Sequence, residues 1–202
     1  RSTMYFEGKG KAMMKDTIEA SVDRALELDI EKVLVFTSDG EGPLMAAELR
    51  RNGKPRIIAV TFPAGRVFLD PEGKPVRLAL SDHAQKKLLE ERGISIVQGT
   101  MPLQEIISPG SRDSKLDAIS RTLGLISDSL SLCVEAVLMA TDAGAVRSGE
   151  EVISASADTA IVASGALSHW LFHPVEGLDI REIICKPRTR LTPDLGGSSD
   201  SR

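Results

Sequence analysis

The run Lys32-Val33-Leu34-Val35-Phe36-Thr37-Ser38-Asp39-Gly40-Glu41-Gly42-Pro43, with Arg56-Ile57-Ile58-Ala59-Val60-Thr61 behind it, decides the architecture. Residues 32–37 form a short, unbroken apolar stretch rich in β-branched side chains. A strand with one wet face alternates apolar and polar residues, so this pattern predicts a strand buried on both faces. Ser38 to Gly42 is turn chemistry. Pro43 suits the first turn of a helix, which Leu44, Ala47 and Leu49 continue and Asn52-Gly53 closes. Residues 56–61 then repeat the buried-strand pattern. The whole reads as a β-α-β unit with a right-handed parallel crossover.

Outward from this unit the rhythm repeats. Residues 1–13 read as a short arm. Asp16 and Glu19 have the spacing of a capping box for a helix carrying Ile18, Val22, Ala25 and Leu26, ending near Leu28-Asp29. Residues 63–80 break the alternation with Pro- and Gly-rich turns, and a hairpin insertion near 66–80 is expected. Ser81 caps a helix to about Arg92, and Ile94 to Val97 is the third strand. A connection from Pro102 to Asp113 leads to a long helix over Lys115 to Ala143. Gly124 weakens it by about 1 kcal/mol relative to alanine, which leaves room for a break or a kink there. Val152–Ala155, Thr159–Ala163 and Ile180–Cys185 are the remaining strands. Residues 189–202 are polar and Gly/Ser-rich, and are expected to be a disordered tail. The chain therefore reads as one α/β domain over 14–188 with a mostly parallel sheet.

The 202 residues carry 25 Lys+Arg and 29 Asp+Glu, so the formal charge is 25 − 29 = −4. A mildly acidic chain argues against general nucleic-acid binding. No apolar run reaches the roughly 18–20 residues of a membrane span, and no signal-peptide pattern is seen. Cys133 and Cys185 have no zinc or C-x-x-C spacing. They read as buried thiols in a reducing cytoplasm.

Ligands in such folds bind beyond the carboxyl ends of the strands. Four of these ends are rich in Gly, Ser or Thr: Thr37–Gly42, Thr61–Gly65, Gln98–Thr100 and Ser154–Thr159. Together they are expected to form one polar rim. The candidate binding residues are Thr37, Ser38, Asp39, Gly40, Glu41 and Gly42 for a phosphate, held through main-chain N–H groups at a helix start. Thr61, Gly99 and Thr100 would line the pocket, and Asp158 with Thr159 would fix the ligand's polar end, with a turn residue that satisfies local main-chain N–H groups an equal reading of Asp158. The loop is neither a Walker loop nor a dinucleotide fingerprint. Asp39 and Glu41 would repel a phosphate unless they point away; otherwise the loop is a plain β-α turn. A bulky replacement at Gly40 is expected to abolish binding and spare folding. His169-x-x-x-His173 lacks the glutamate of a zinc protease motif and reads as a surface or packing pair, so no metal site is expected. Cys133 has no neighbouring cation to lower its pKa and also reads as packing, while Glu135 faces either the rim or solvent. No residue stands out as a catalytic group.

Several of these runs together resemble the C-terminal α/β domain of pyruvate kinase. They are Val33–Gly40, Ile57–Thr61, Cys133–Gly144, Glu150–Ile153, Ala157–Ala160 and Glu182–Arg188. More narrowly, they resemble a free-standing family of proteins like that domain, over about residues 14–188. The resemblance implies a three-layer α/β/α sandwich with an antiparallel last strand. It implies no kinase activity, since the barrel carrying that chemistry is absent. It also implies a phosphorylated ligand at the first strand-end loop, with FMN as the named candidate, and a likeness to domains that contribute to subunit contacts. Asp39 and Gly42 stand where that family usually places hydroxyl residues. The function expected is a small-molecule-binding domain that forms a homo-oligomer. The alternatives are an oligomerising or regulatory module without a ligand, and a flavin-dependent enzyme.

Overall fold

A computed structural model describes residues 2–69, 74–77, 80, 83–104 and 114–190. The expected hairpin tip, the Ser81 cap, most of the Pro102–Asp113 connection and the tail beyond residue 190 lie outside the described residues.

The elements are β1 (Met4–Phe6), α1 (Met14–Leu28), β2 (Lys32–Phe36), α2 (Glu41–Glu48), β3 (Arg56–Thr61), β4 (Val67–Leu69), β5 (Pro75–Arg77), α3 (His83–Glu91), β6 (Ser95–Gln98), α4 (Ser114–Gly124), α5 (Leu130–Asp142), β7 (Glu151–Ala155), β8 (Ala160–Ser164) and β9 (Ile180–Pro187). Seven strands form one sheet in the order β1-β9-β8-β7-β2-β3-β6. The pairs β2–β3, β2–β7, β3–β6 and β1–β9 are parallel. β9 runs antiparallel to its neighbour β8, as expected, and β8 also runs antiparallel to β7. The reversed strand is thus β8, joined to β7 by the tight turn Ser156–Thr159. The expected insertion is present as the antiparallel pair β4–β5.

Burial on both faces follows directly from the strand composition. Val33 and Val35 pack with Ile18, Val22 and Ala25 of α1, Ala46 of α2 and Leu89 of α3. Leu34 and Phe36 point the other way, onto Leu130, Cys133, Ala136 and Val137 of α5. The result is a three-layer α/β/α sandwich. α5 is buried around most of its circumference, from Cys133 through Thr141 without interruption. At the amino end of β2, Lys32 Nζ pairs with Glu150 at 2.8 Å and donates to the Ala145 carbonyl at 2.9 Å. That end of the sheet is closed by an internal ion pair.

Four local expectations need correction. The segment read as an arm supplies the edge strand β1 and a 3-10 turn at Gly10–Met13. That turn runs straight into α1, so Met13 is the N-cap and Asp16 lies inside the first turn, with no side-chain cap. There Asp16 still favours the positive end of the helix dipole. Asn52 and Gly53 do not close α2, which ends at Glu48. They form a separate turn with φ of 53° and 76°, bridged by Arg51 and Lys54. The long helix is two helices, α4 and α5, broken after Gly124.

Candidate functional site

β2 and β7 lie side by side, but the chain leaves them in opposite directions, from β2 to β3 and from β7 to β8. Such a switch point opens a crevice at the strands' carboxyl ends. A cavity of about 230 Å³ occupies it. Its polar lining is Lys11, Thr37, Ser38, Asp39 and Ser156. Its walls are Met14, Val35, Phe36, Phe62 and Leu132. Phe36 and Phe62 meet edge to face, with ring centroids 4.8 Å apart, a favourable geometry for an aromatic pair.

The loop Thr37–Gly42 is ordered largely by its own side chains. Thr37 Oγ1 accepts the Gly40 N–H at 2.9 Å, and Asp39 Oδ1 accepts the Glu41 N–H at 3.0 Å. Pro43 has no N–H. Of the four donors that a helix start normally leaves open, this leaves Gly42. A side chain at Gly42 would be tight, since a Cβ there would lie 3.0 Å from Val35 Cγ1 and that methyl would have to shift. The two carboxylates that looked repulsive are tied down, because Lys11 Nζ bonds Asp39 Oδ2 at 2.9 Å and also pairs with Glu41. Burial pushes the Asp39 pKa up, but hydrogen bonds from Lys11 and the Glu41 amide outweigh it, so the carboxyl sits below its usual value. An ammonium has three donors, and these two carboxylates occupy two of those of Lys11.

The expected rim is therefore divided. Thr37–Asp39 and Gly42 meet Ser156 and Ala157 at the cavity. Gly40 does not line it, and its Cβ direction leads to Leu89 and Leu80 in the core. A bulky residue at Gly40 would thus strike the core and disturb folding, which corrects the expectation for that substitution. Thr61 is fully buried and its Oγ1 has no hydrogen-bond partner. Thr100 lies on a second, wider groove of about 510 Å³ with Leu103, Leu116, Ile119 and Phe172. Gly99 lines neither. Asp158 and Thr159 face inward. Asp158 Oδ2 accepts the Gly10 N–H at 2.6 Å, Thr159 Oγ1 donates to Asp158 Oδ1 at 3.0 Å, and Ser127 Oγ lies 2.6 Å from Thr159 Oγ1.

Sequence reasoning missed Lys11, Met14 and Leu132. The available signal was the charge match between the basic run Gly8-Lys9-Gly10-Lys11 and the acidic Asp39-Gly40-Glu41. Glu135 faces neither rim nor solvent. It is 1% exposed, and both carboxylate oxygens accept the Leu103 N–H, at 3.1 and 3.2 Å. Burial drives its pKa up to about 7, against the opposing pull of Leu103, Gln104 and Arg66. Cys133 donates from Sγ to the Thr159 carbonyl at 3.3 Å, and burial pushes its pKa well up. His173 packs against Trp170, and its Nδ1 accepts the N–H of Val175 and of Glu176. Among the described residues no group of three or more His, Cys, Asp or Glu is placed to hold a metal, and no helix is long and apolar enough to cross a membrane.

Residues 15–166 match the model of the pyruvate kinase alpha/beta domain family. The chain belongs to that family. The match to the pyruvate kinase alpha/beta domain begins just after Met14, so Lys11 and Met14 lie ahead of it, and β9 lies beyond it. Among solved structures, a Cryptosporidium parvum pyruvate kinase is 16% identical with a TM-score of 0.39, over 78% of this chain and 23% of that one. A structure of Cryptosporidium parvum pyruvate kinase in complex with ADP is 14% identical with a TM-score of 0.35, over 85% of this chain and 23% of that one. The chain thus spans less than a quarter of the length of those pyruvate kinases.

Proposed function

We propose that this chain is a small-molecule-binding α/β domain whose ligand sits in the cavity between the ends of β2 and β7. The observation that carries this reading is the composition of that cavity. One ammonium, Lys11, already paired with the carboxylates of Asp39 and Glu41, lines the cavity together with Ser38 and Ser156, and Met14, Phe36, Phe62 and Leu132 form the apolar walls. Such a lining suits a ligand with one anionic end, a phosphate in this reading, and an apolar body. The anion meets Lys11, Ser38, Ser156 and the Gly42 amide rather than a full cradle of loop amides.

Drug-sized pockets run to roughly 300–1,000 Å³, and this cavity is about 230 Å³. The size favours a small phosphate ester over FMN, whose ring system would need Phe62 or the Lys11 segment to move outward. The reading contains no phosphoryl-transfer step. It includes self-association, favoured by the exposed Met4 and Tyr5 on the edge strand β1, which sedimentation equilibrium measures. The two buried, unpaired cysteines suit a reducing compartment.

Calorimetric titration with inorganic phosphate, phenyl phosphate and FMN tests the reading. Phenyl phosphate should bind more tightly than either of the others, and Lys11→Met should weaken it by about tenfold or more, the loss of one charge-assisted hydrogen bond. Absence of binding by all three would refute the proposal. Retained flavin after desalting would make FMN the ligand and show that the cavity opens.

A further inference from the structure

Among the described residues, the one cation that lines the cavity comes from a segment that crosses the sheet from its far edge. β1 pairs with the end of β9. Residues 7–13 then pass over the ends of the intervening strands, and Met14 reaches the cavity at the start of α1. The crossing is pinned at mid-span. Asp158, 4% exposed in the β7–β8 turn, holds the Gly10 N–H at 2.6 Å. Its second oxygen accepts the Thr159 hydroxyl, which Ser127 braces in turn. Gly10 has φ +74°, a left-handed conformation that glycine adopts without penalty. The next residue is Lys11.

We propose that Asp158 is a positioning residue for this site: by holding the main chain at Gly10 it sets Lys11 at the cavity mouth, where Lys11 selects an anionic ligand. The inference rests on the small-molecule reading of the cavity. Asp158 does not touch the ligand. Its carboxylate is spent on this chain's own backbone and on Thr159. Lys11 has a long flexible stem, so an unpinned crossing would let its ammonium leave both the cavity and its partners Asp39 and Glu41.

The test is a double-mutant cycle read with phenyl phosphate, combined with amide hydrogen exchange at residues 10–13. D158A should weaken binding by about tenfold, like K11M. In the K11M background D158A should change affinity by less than about twofold, because its effect runs through Lys11. Asp158→Asn keeps an oxygen for the Gly10 N–H and should restore binding. Exchange at Gly10 and Lys11 should accelerate in D158A. An equal loss from D158A with and without Lys11 would overturn the inference, since it would place Asp158 on the ligand itself. Should D158A not fold, Thr159→Val removes the brace on the carboxylate and should give the same pattern in milder form. If the wild type binds none of inorganic phosphate, phenyl phosphate and FMN, the ligand reading fails, and the latch is judged by exchange and by Lys11 acetylation. Unchanged exchange and unchanged acetylation in D158A would overturn the latch as well.

Discussion

Glu135 offers a quantitative test of the packing between α5 and the turn after β6. Its carboxyl lies buried beneath residues 101–104 and its pKa is raised from 4.5 to about 7, chiefly by burial. One pH unit of displacement corresponds to about 1.4 kcal/mol, so the full effect is roughly 3 kcal/mol. The direction follows from the raised value. The protonated form suits the folded state, so its contribution is complete below the unfolded value near 4.5 and is lost as pH rises through about 7. Stability should therefore fall by about 2–3 kcal/mol between pH 5 and pH 8 from this group alone. Glu135→Gln keeps an oxygen for the Leu103 N–H and removes the ionisation. Urea denaturation across this range should show a falling curve for the wild type and a flatter one for the variant, with the variant more stable at pH 8. Parallel curves would refute the reasoning, because they would mean that Glu135 ionises in the folded protein as easily as in the unfolded one.

Gly40 sits at φ +85° with the core behind it, so Gly40→Ala should cost about 1–2 kcal/mol, read as a lower urea midpoint; an unchanged midpoint would contradict the left-handed assignment. Thr61→Val removes a fully buried hydroxyl that has no partner. It should be neutral or raise stability by about 1 kcal/mol, and a loss on thermal melting would reveal a partner for that hydroxyl. Cys133 and Cys185 are both buried, and burial pushes the Cys185 pKa up to about 12. Iodoacetamide should leave both thiols intact in the folded protein and label them at the rate of unfolding. Fast labelling of either in native buffer would show that its surroundings are open.

Much of the architecture follows from local pattern. Residues 33–36 and 57–60 are apolar without alternation, a pattern that suits a strand covered on both sides, so the sandwich and the crevice at the strand ends were legible from composition and turn chemistry. Gly124 marked the break between α4 and α5 because a glycine in a helix interior is costly wherever it occurs. The division of the rim was not legible. Asp158 reads equally as a ligand contact or as a turn residue holding nearby N–H groups, yet the N–H it accepts belongs to Gly10, 148 positions earlier in the chain. Lys11 looks like part of a loose arm, yet it faces Asp39 because β1 anchors the segment at the opposite edge of the sheet. Glu135 lies in a run whose helical period leaves its face ambiguous, and its burial is set by the turn after β6. Periodicity and turn propensity are short-range properties that a linear sequence displays. Which carboxylate meets which amide across the top of the sheet depends on contacts between distant residues, and only the packed tertiary structure decides those.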